Sequence, residues 1–238
     1  MPDSCIYSER VQIERKKKGG VRRMSEEAAA AQAMGSREMR QQIDRIAICE
    51  LVQRERTARD LGRWDEMAAY YNADSDVDIS WFRGTGAEFV AASRKMVTTS
   101  LQSFHQMGPT VVTIKTNRAL AETGCAIHLI GKVGDIEVDV IAQSRMYSRV
   151  ERKSDEWLLS GLRMLYISDC MVPLDPTRSP KLDPTRLSQY RASYRFISYL
   201  LAENGRTSRA DLPGTDQRES AETLWKGEEQ WLDLPSNS

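Results

Sequence analysis

The chain has few of the residues on which metal and disulfide chemistry depend. Its 238 residues include 2 histidines and 4 cysteines, and the cysteines lack the Cys-x-x-Cys spacing of zinc sites. We therefore expect no metal site and no disulfide framework. Cys49 and Cys125 lie among apolar neighbours and are predicted to be buried free thiols. Free thiols fit a reducing compartment, so we expect a cytoplasmic protein.

The chain also lacks net charge and long apolar runs. Its 34 basic and 34 acidic residues cancel, which argues against bulk electrostatic binding of nucleic acid or of an anionic membrane. No apolar run approaches the roughly 20 residues of a membrane-spanning helix. The N-terminus has no apolar segment typical of a secretory signal. We therefore expect no membrane partner.

Basic residues nevertheless concentrate near the N-terminus, where residues 1–39 are predicted to form a flexible basic tail. The run at residues 15–23 reads RKKKGGVRR. Three interpretations stay open: a solvated tail, a nuclear-localisation or nucleic-acid patch at residues 10–23, or a true translation start at Met24. The solvated tail is favoured, so nucleic acid is not the expected partner.

A helical pattern from Ile43 to Tyr71 organises the rest of the chain. Gly62 interrupts the pattern, and a short second helix is predicted from Arg63 to Tyr71. Asp60 lies at the break, where a regular helical wheel no longer predicts its direction. The apolar residues at helical spacing are Ile43, Ile46, Ala47, Leu51, Ala58 and Leu61.

The stretch after the helices is predicted to be mostly strands. Val77, Ile79 and Trp81 alternate with polar residues, as in a half-buried strand. A helix is predicted over residues 87–101, and Gly134-Asp135 is predicted to be a tight hairpin turn. Helices followed by a meander of long strands indicate an α+β fold with an antiparallel sheet. The further strands are predicted at residues 110–116, 120–133, 136–150 and 157–167.

Residues 173–238 are interpreted as a linker followed by a helical appendage. The linker, residues 173–184, is rich in proline, and apolar residues at helical spacing predict one helix over residues 187–201. Asp216 and Glu219 resemble a capping box. They would begin a last helix that buries Leu224, Trp225 and Trp231.

The two histidines are the candidate general bases, because an imidazole with a pKa near 6.5 is a base at neutral pH. His105 is predicted to lie between a helix and a strand, and His128 to lie within a strand. A carboxylate bonded to one ring nitrogen fixes the tautomer and stabilises the imidazolium. Such a pair in a dry pocket can remove a proton from carbon. A structural role for either histidine remains the alternative.

Three motifs carry a resemblance to a known family. They are Asp44-Arg45-x-Ala47-Ile48 with Ala58-Arg59-Asp60-x-x-Arg63-Trp64-Asp65, then His105-Gln106-Met107-Gly108, then residues 145–152 with Trp157 after a turn. In this order and spacing they resemble the SnoaL-like family of the nuclear transport factor 2-like superfamily. The resemblance covers about residues 40–172.

The resemblance implies a cone-shaped, strongly bent antiparallel sheet wrapped around N-terminal helices, a cystatin-like α+β barrel, with a pocket inside. Relatives such as scytalone dehydratase, bile acid dehydratase and lindane dehydrochlorinase are cofactor-independent lyases with an Asp–His pair, which Asp60 and His105 match. The implied substrate is small and hydrophobic, or polycyclic or aromatic. The implied assembly is a homodimer or homotrimer, in which Tyr190, Tyr194 and Phe196 could extend the contact.

The chain departs from the family pattern at Glu55, because some of these lyases carry Tyr or Lys five residues before the Asp. Without that donor, the proton for a leaving hydroxyl would come from another pocket residue. The predicted substrate-binding residues are Glu55, Tyr71, Trp81, Tyr147 and Arg163.

Two functions are weighed. The first is a cofactor-independent lyase or isomerase acting through His105 and Asp60. The alternative is a non-catalytic ligand-binding or oligomerisation module, such as the structural small subunit of ring-hydroxylating dioxygenases. Geometry discriminates between them, since catalysis needs the two side chains within about 3 Å of each other and beside a cavity.

Overall fold

A computed structural model describes residues 3–96 and 101–234, with side chains from residue 32 onward. It divides into two units, Met1–Ile46 and Ala47–Ser238. The first helix begins in the first unit, and every other element belongs to the second. The elements are α1 Asp3–Asp60, α2 Trp64–Ala69, β1 Tyr71–Ile79, β2 Phe82–Thr85, α3 Gly86–Met96, β3 Gln102–Lys115, β4 Arg118–Val133, β5 Ile136–Lys153, β6 Glu156–Pro173, α4 Pro184–Leu187, a 3₁₀ turn Ala192–Tyr194, α5 Arg195–Glu203 and α6 Arg218–Asp233.

The N-terminal region is helical where the sequence suggested an irregular tail. The backbone of α1 is helical from Asp3 onward, so the low complexity of this segment did not predict its local structure. The side chains of the predicted basic patch at residues 10–23 lie outside the described part. The flexibility of residues 1–39 stays a prediction. None of the described helices is both long and apolar enough to cross a bilayer.

The second unit has the predicted α+β fold. Its six strands form one bent, unclosed sheet in the order β2-β1-β6-β5-β4-β3. Neighbouring strands are antiparallel except β1 and β6, which run parallel. Two-residue turns join β4 to β5 and β5 to β6, and the first of them is the predicted Gly134-Asp135 turn. The long hairpins therefore follow from local turn chemistry.

The part of α1 from residue 47 onward belongs to the second unit and joins its core through a face that the apolar spacing predicted only in part. Ile48, Val52 and Ala58 are fully buried, whereas Ile43 and Ile46 are exposed. The helix ends at Asp60, and Gly62, at the predicted break, adopts a positive φ of 69°. Such a residue is a common helix stop because glycine has no Cβ to clash in the left-handed region.

Two strand boundaries differ from the prediction. Tyr71 begins β1 rather than ending a helix. His105 lies inside β3, not in a loop before a strand, because β3 is one 14-residue strand with a register shift between Met107 and Thr110. Gly108-Pro109 falls at that shift, where proline cannot donate a hydrogen bond to the neighbouring strand.

The C-terminal segment is more broken than predicted. Asp183 caps α4, and the single helix expected over residues 187–201 is divided into α4, the 3₁₀ turn and α5. The predicted capping box at Asp216 is wrong, because this carboxylate pairs with Arg191 and α6 begins two residues later. Trp225 is 42% exposed rather than buried.

Helix α5 nonetheless belongs to the main core. Leu200 and Leu201 are almost fully buried within the same cluster as the sheet residues. Tyr194 is 1% exposed, so its side chain cannot extend an oligomer contact as predicted. The dimer or trimer itself stays a prediction. Cys125 is buried as predicted and Cys49 partly so, and burial raises the pKa of the Cys125 thiol to about 11.

Candidate active site

The buried face of α1 carries charges near its C-terminal end. Glu55, Arg56 and Arg59 are each at most 6% exposed. They continue the helical face that begins with Ile48 and Val52, since the intervals of three and four residues keep them on one side. Burial of charge is costly unless it is paired. The helix therefore brings a set of ionic partners to the inside of the fold.

Asp60, the last residue of α1, holds His105 at two points. Its Oδ1 atom lies 2.8 Å from Nδ1 of the His105 ring, and its Oδ2 atom accepts the backbone N–H of His105 at 2.7 Å. The alternation of β3 turns Ser103 and His105 to the inner face of the sheet, and His105 pairs in register with Ile127 of β4. Helix end and strand thus fix both side chains relative to each other.

The environment sets the protonation of this pair. Burial opposes ionisation of Asp60, but the hydrogen bonds from His105 and the charge of Arg59 outweigh it and lower the pKa of Asp60. Burial, together with the charges of Arg56 and Arg59, lowers the pKa of His105 to about 3. His105 is therefore neutral at neutral pH. An ionised carboxylate only accepts hydrogen bonds, so Nδ1 carries the proton and Nε2 keeps the lone pair.

His105 lines an inner cavity of about 40 Å³. The volume exceeds what one water needs, but a larger guest must displace side chains. Three of the lining residues are methionines, which adapt readily because their side chains are unbranched. Helix α5 supplies one wall. The lining residues are Arg56, Arg59, Ile79, Ser80, Trp81, Met96, Ser103, His105, Ile127, Leu129, Met146, Leu162, Met164, Tyr166, Ile197 and Leu201.

An outer cavity of about 380 Å³ adjoins the inner one. The two share Arg59, Met96 and Ser103 as lining residues. Asp60 and Trp64 line the outer cavity but not the inner one. A guest could therefore pass from the outer cavity toward His105 by displacing the shared side chains.

The two arginines of the inner cavity have unequal partners. Arg56 donates to Glu55 at 2.9 Å, and Glu55 also accepts the hydroxyl of Tyr71 at 2.9 Å. Arg59 reaches Asp60 and Ser103 only at 3.3 Å. In both arginines the buried Nε–H group has no hydrogen-bond partner among the described residues. These are donors that a guest could satisfy.

Of the predicted substrate-binding residues, only Trp81 lines the inner cavity. Glu55 and Tyr71 lie beside it and bond to each other rather than to the space. Burial raises the pKa of Tyr71 well above its ordinary value, so the phenol keeps its proton. Glu55 and Tyr71 affect the cavity only indirectly, because Glu55 holds the guanidinium group of Arg56 in place. Among the described residues no three His, Cys, Asp or Glu side chains converge as metal ligands.

Two predicted pocket residues face the other side of the sheet. Tyr147 and Arg163 each follow an inward residue, Met146 and Leu162 respectively, so strand alternation turns them outward. Tyr147 accepts a hydrogen bond from the indole of Trp225, and Arg163 bonds to Asp76. Their prediction as pocket residues is wrong for this reason.

The second histidine also has a carboxylate partner. Nδ1 of His128 lies 2.7 Å from Asp139, and its ring stacks on Phe104 at 4.2 Å. His128 follows the inward Ile127, so strand alternation places it on the opposite face of the sheet. The chain therefore has two His–Asp pairs, of which only the His105 pair supplies lining residues to the inner and outer cavities.

Three residues of the inner cavity escaped the sequence reasoning. Arg56 and Arg59 were not singled out as site residues, although their spacing of four and seven residues from Val52 is a signal that could have placed them inside. Tyr166 is 1% exposed and receives the backbone N–H of Ser80 at 3.1 Å. Its inward alternation with Leu162 and Met164 was also available from the sequence.

Comparison with known families identifies a domain within the chain. The model of the SnoaL-like domain matches residues 40–163, which is just over half of the chain. The chain belongs to the SnoaL-like family. The match includes Asp60 and His105 but ends before Tyr166 and α5, so part of the cavity wall lies outside the SnoaL-like region.

This SnoaL-like protein is similar to two fungal proteins. The PEP2-like protein of Fusarium vanettenii is 26% identical over 201 residues, which cover 80% of this chain and 86% of the relative. Pea pathogenicity protein 2 of the same species is 24% identical over 195 residues, covering 80% and 84%. Both matches extend well beyond the SnoaL-like region, so they include parts of the N- or C-terminal segments.

Among solved structures, hexachlorocyclohexane dehydrochlorinase LinA-type3 from Novosphingobium barchaimii superposes with a TM-score of 0.50. It is 14% identical and covers 62% of this chain and 99% of its own. At this identity the likeness concerns the fold alone. Any statement on chemistry depends on the side chains of this chain.

Proposed function

We propose that this protein is a cofactor-independent lyase or isomerase of small hydrophobic substrates, and that His105 is its general base. The observation that carries the proposal is the 2.8 Å contact between His105 and Asp60 at the wall of a cavity. Nε2 of His105 takes a proton from a substrate carbon, and Asp60 stabilises the imidazolium that forms. Elimination of water or halide, or a double-bond shift, follows from this one step.

Tyr166 is proposed as the proton donor to a leaving hydroxyl group. Burial raises the pKa of Tyr166 to about 12, so the phenol is protonated at neutral pH. Its oxygen accepts from Ser80, which leaves its own proton to donate. In a dehydration the C–H proton passes to His105, the C–O bond breaks, and the hydroxide departs as water with the Tyr166 proton. The His105 proton then restores Tyr166 through water.

The alternative is a non-catalytic ligand-binding member, and one observation favours it. The inner cavity is about 40 Å³, too small for a substrate unless side chains move. A ligand confined to the larger outer cavity would contact Asp60 without reaching His105. The two functions thus differ in whether the ligand occupies the inner cavity beside His105 or only the outer cavity.

A panel of compounds tests the proposal. 3-Hydroxycyclohexanone would lose water to an absorbing enone, and hexachlorocyclohexane would lose chloride. Catalysis predicts saturable formation of enone or chloride that requires His105. Saturable binding of both compounds with no product would contradict the proposal and support the ligand-binding alternative.

A further inference from the structure

Two buried guanidinium groups in an otherwise mostly apolar cavity need an explanation beyond proton abstraction. Arg56 and Arg59 are 3% and 6% exposed, yet each has a buried Nε–H without a partner among the described residues. Leaving a buried donor unsatisfied destabilises the fold, and more so when the group is charged. A buried guanidinium with an unpaired N–H therefore contributes little to stability. A hydrogen-bond acceptor on a bound ligand would be its natural partner.

The charges around the cavity specify which acceptor fits. Arg56 and Arg59 carry two positive charges, Glu55 and Asp60 carry two negative charges, and His105 is neutral. The resting set is therefore balanced, and a permanently anionic guest would leave an uncompensated buried charge. A neutral guest that becomes an anion as His105 becomes a cation keeps the balance throughout.

We infer that Arg56 and Arg59 form an oxyanion site, and that the substrate is a neutral carbonyl compound with a proton on the carbon beside the carbonyl group. The inference rests on the proposed function of His105. The C–H electron pair forms the C=C bond of an enolate as the proton moves to Nε2, and the carbonyl π pair moves onto oxygen. That oxygen gains negative charge beside the guanidinium groups of Arg56 and Arg59, which both line the cavity and can stabilise it.

An oxyanion site distinguishes this mechanism from one in which His105 acts as a base without help from the arginines. A polychlorinated alkane has no oxygen to receive the donors, so the arginines would contribute nothing to its elimination. A β-hydroxy ketone would use both, because its enolate expels hydroxide as the carbonyl bond re-forms. The order of substrate preference therefore reports on the arginines independently of His105.

The test uses 4-nitrophenol, whose phenolate is a stable mimic of an enolate and absorbs differently from the phenol. 4-Nitroanisole, which cannot ionise, is the matched neutral probe. The full-length wild-type protein should bind 4-nitrophenol as the phenolate at a pH where free probe is mostly neutral. Arg59→Met should bind the phenolate about tenfold to hundredfold more weakly, the loss expected for one hydrogen bond to a charged group. Its affinity for 4-nitroanisole should not change.

Two further variants keep the result interpretable. Arg56→Met with Glu55→Gln removes the Arg56 donor without leaving Glu55 as an unpaired buried charge, and it should also lose phenolate affinity. Arg54→Met is the control, since Arg54 lies on the same helix with 62% of its side chain exposed, and it should bind both probes like the wild type. Circular dichroism verifies the fold of each variant.

The His105→Ala variant distinguishes this inference from the proposed function. Because the arginines remain while the proton acceptor is gone, it should still bind neutral 4-nitrophenol through its oxygen, and adding Arg59→Met should weaken that binding, even if turnover is lost. Phenolate binding that is equal in wild type and both arginine variants would overturn the oxyanion site while leaving the role of His105 intact. Equal losses of phenolate and 4-nitroanisole would overturn it too, since the arginines would then only support the cavity wall.

Discussion

Asp60 binds His105 through both the imidazole and the main chain, at 2.8 and 2.7 Å. The carboxylate thus connects the end of α1 to the first part of β3 and fixes the tautomer of the ring in the same contact. A second carboxylate–histidine pair, Asp139 with His128, has similar geometry on the other face of the sheet. The Asp139–His128 pair therefore provides a matched control for mutations in the Asp60–His105 pair.

Asp60→Asn should lower kcat by roughly two to four orders of magnitude with little change in the fold. The amide can donate to Nδ1, which favours the tautomer with the proton on Nε2 and removes the base. Turnover of 3-hydroxycyclohexanone measures the effect. Asp139→Asn is the matched control and should retain wild-type turnover. Equal losses in both variants would show that the change acts on stability rather than on the base.

The acid limb of activity should lie below the ordinary histidine pKa of 6.5. Burial and the neighbouring arginines lower the pKa of His105 to about 3, so the base stays neutral between pH 7 and 5. A kcat/KM profile on 3-hydroxycyclohexanone should therefore be flat over that range. A fall with a midpoint near 6.5 would contradict the buried, neutral imidazole.

The free energy of unfolding should also depend on pH through the protonation of His105. The pKa of His105 is lower in the folded protein than in the unfolded chain. Between pH 6.5 and about 3 the unfolded chain therefore carries a proton on this residue that the folded protein does not. Stability from the neutral ring is complete above pH 6.5 and is lost as the pH falls through that window. Urea unfolding should show a shallower pH dependence in His105→Phe than in wild type. An unchanged dependence would exclude His105 as its source.

Tyr166→Phe should slow dehydration more than dehydrochlorination, because only a leaving hydroxide needs the phenolic proton. We expect a loss of about a hundredfold for the hydroxy ketone, the lower end of what one general acid contributes. Tyr194→Phe is the control, since the Tyr194 ring packs against Tyr166 but its hydroxyl bonds to the carbonyl of Ala210. Equal losses for water and chloride elimination would exclude Tyr166 as the donor.

Leu201→Ala should widen the inner cavity from the side of α5. The side chain is 1% exposed and lines that cavity. Its truncation should cost about 2–5 kcal/mol of the free energy of unfolding, and it should raise affinity for bulkier substrates relative to small ones. Denaturant unfolding and KM for a ketone series measure the two effects. Leu224→Ala, in the separate cluster under α6, should lower stability without changing the size preference.

The sequence predicted the fold better than the lining of the site. Turn residues and alternation specify strands locally, so the hairpins at Gly134-Asp135 and residues 154–155 were predictable. The Asp60–His105 pairing came from resemblance, because the contact joins residues 45 positions apart and no local pattern encodes it. Tyr147 and Arg163 were misplaced by one strand position, which reverses the face.

Arg56 and Arg59 were missed for a different physical reason. Periodicity methods treat charged residues as solvent-facing, and the buried face of α1 changes from apolar to charged after Val52. The charge is tolerated there because Glu55 and Asp60 lie alongside. Pairing across the fold, which decides whether such a face can be buried, is not visible in spacing alone.

The most direct measurement is the turnover of His105→Ala beside His128→Ala on 3-hydroxycyclohexanone. The His105 variant should be slower than wild type by roughly two to four orders of magnitude, while the His128 variant should match wild type. Wild-type turnover in folded His105→Ala would contradict the account, since no other base lies in the described cavity wall with a carboxylate behind it.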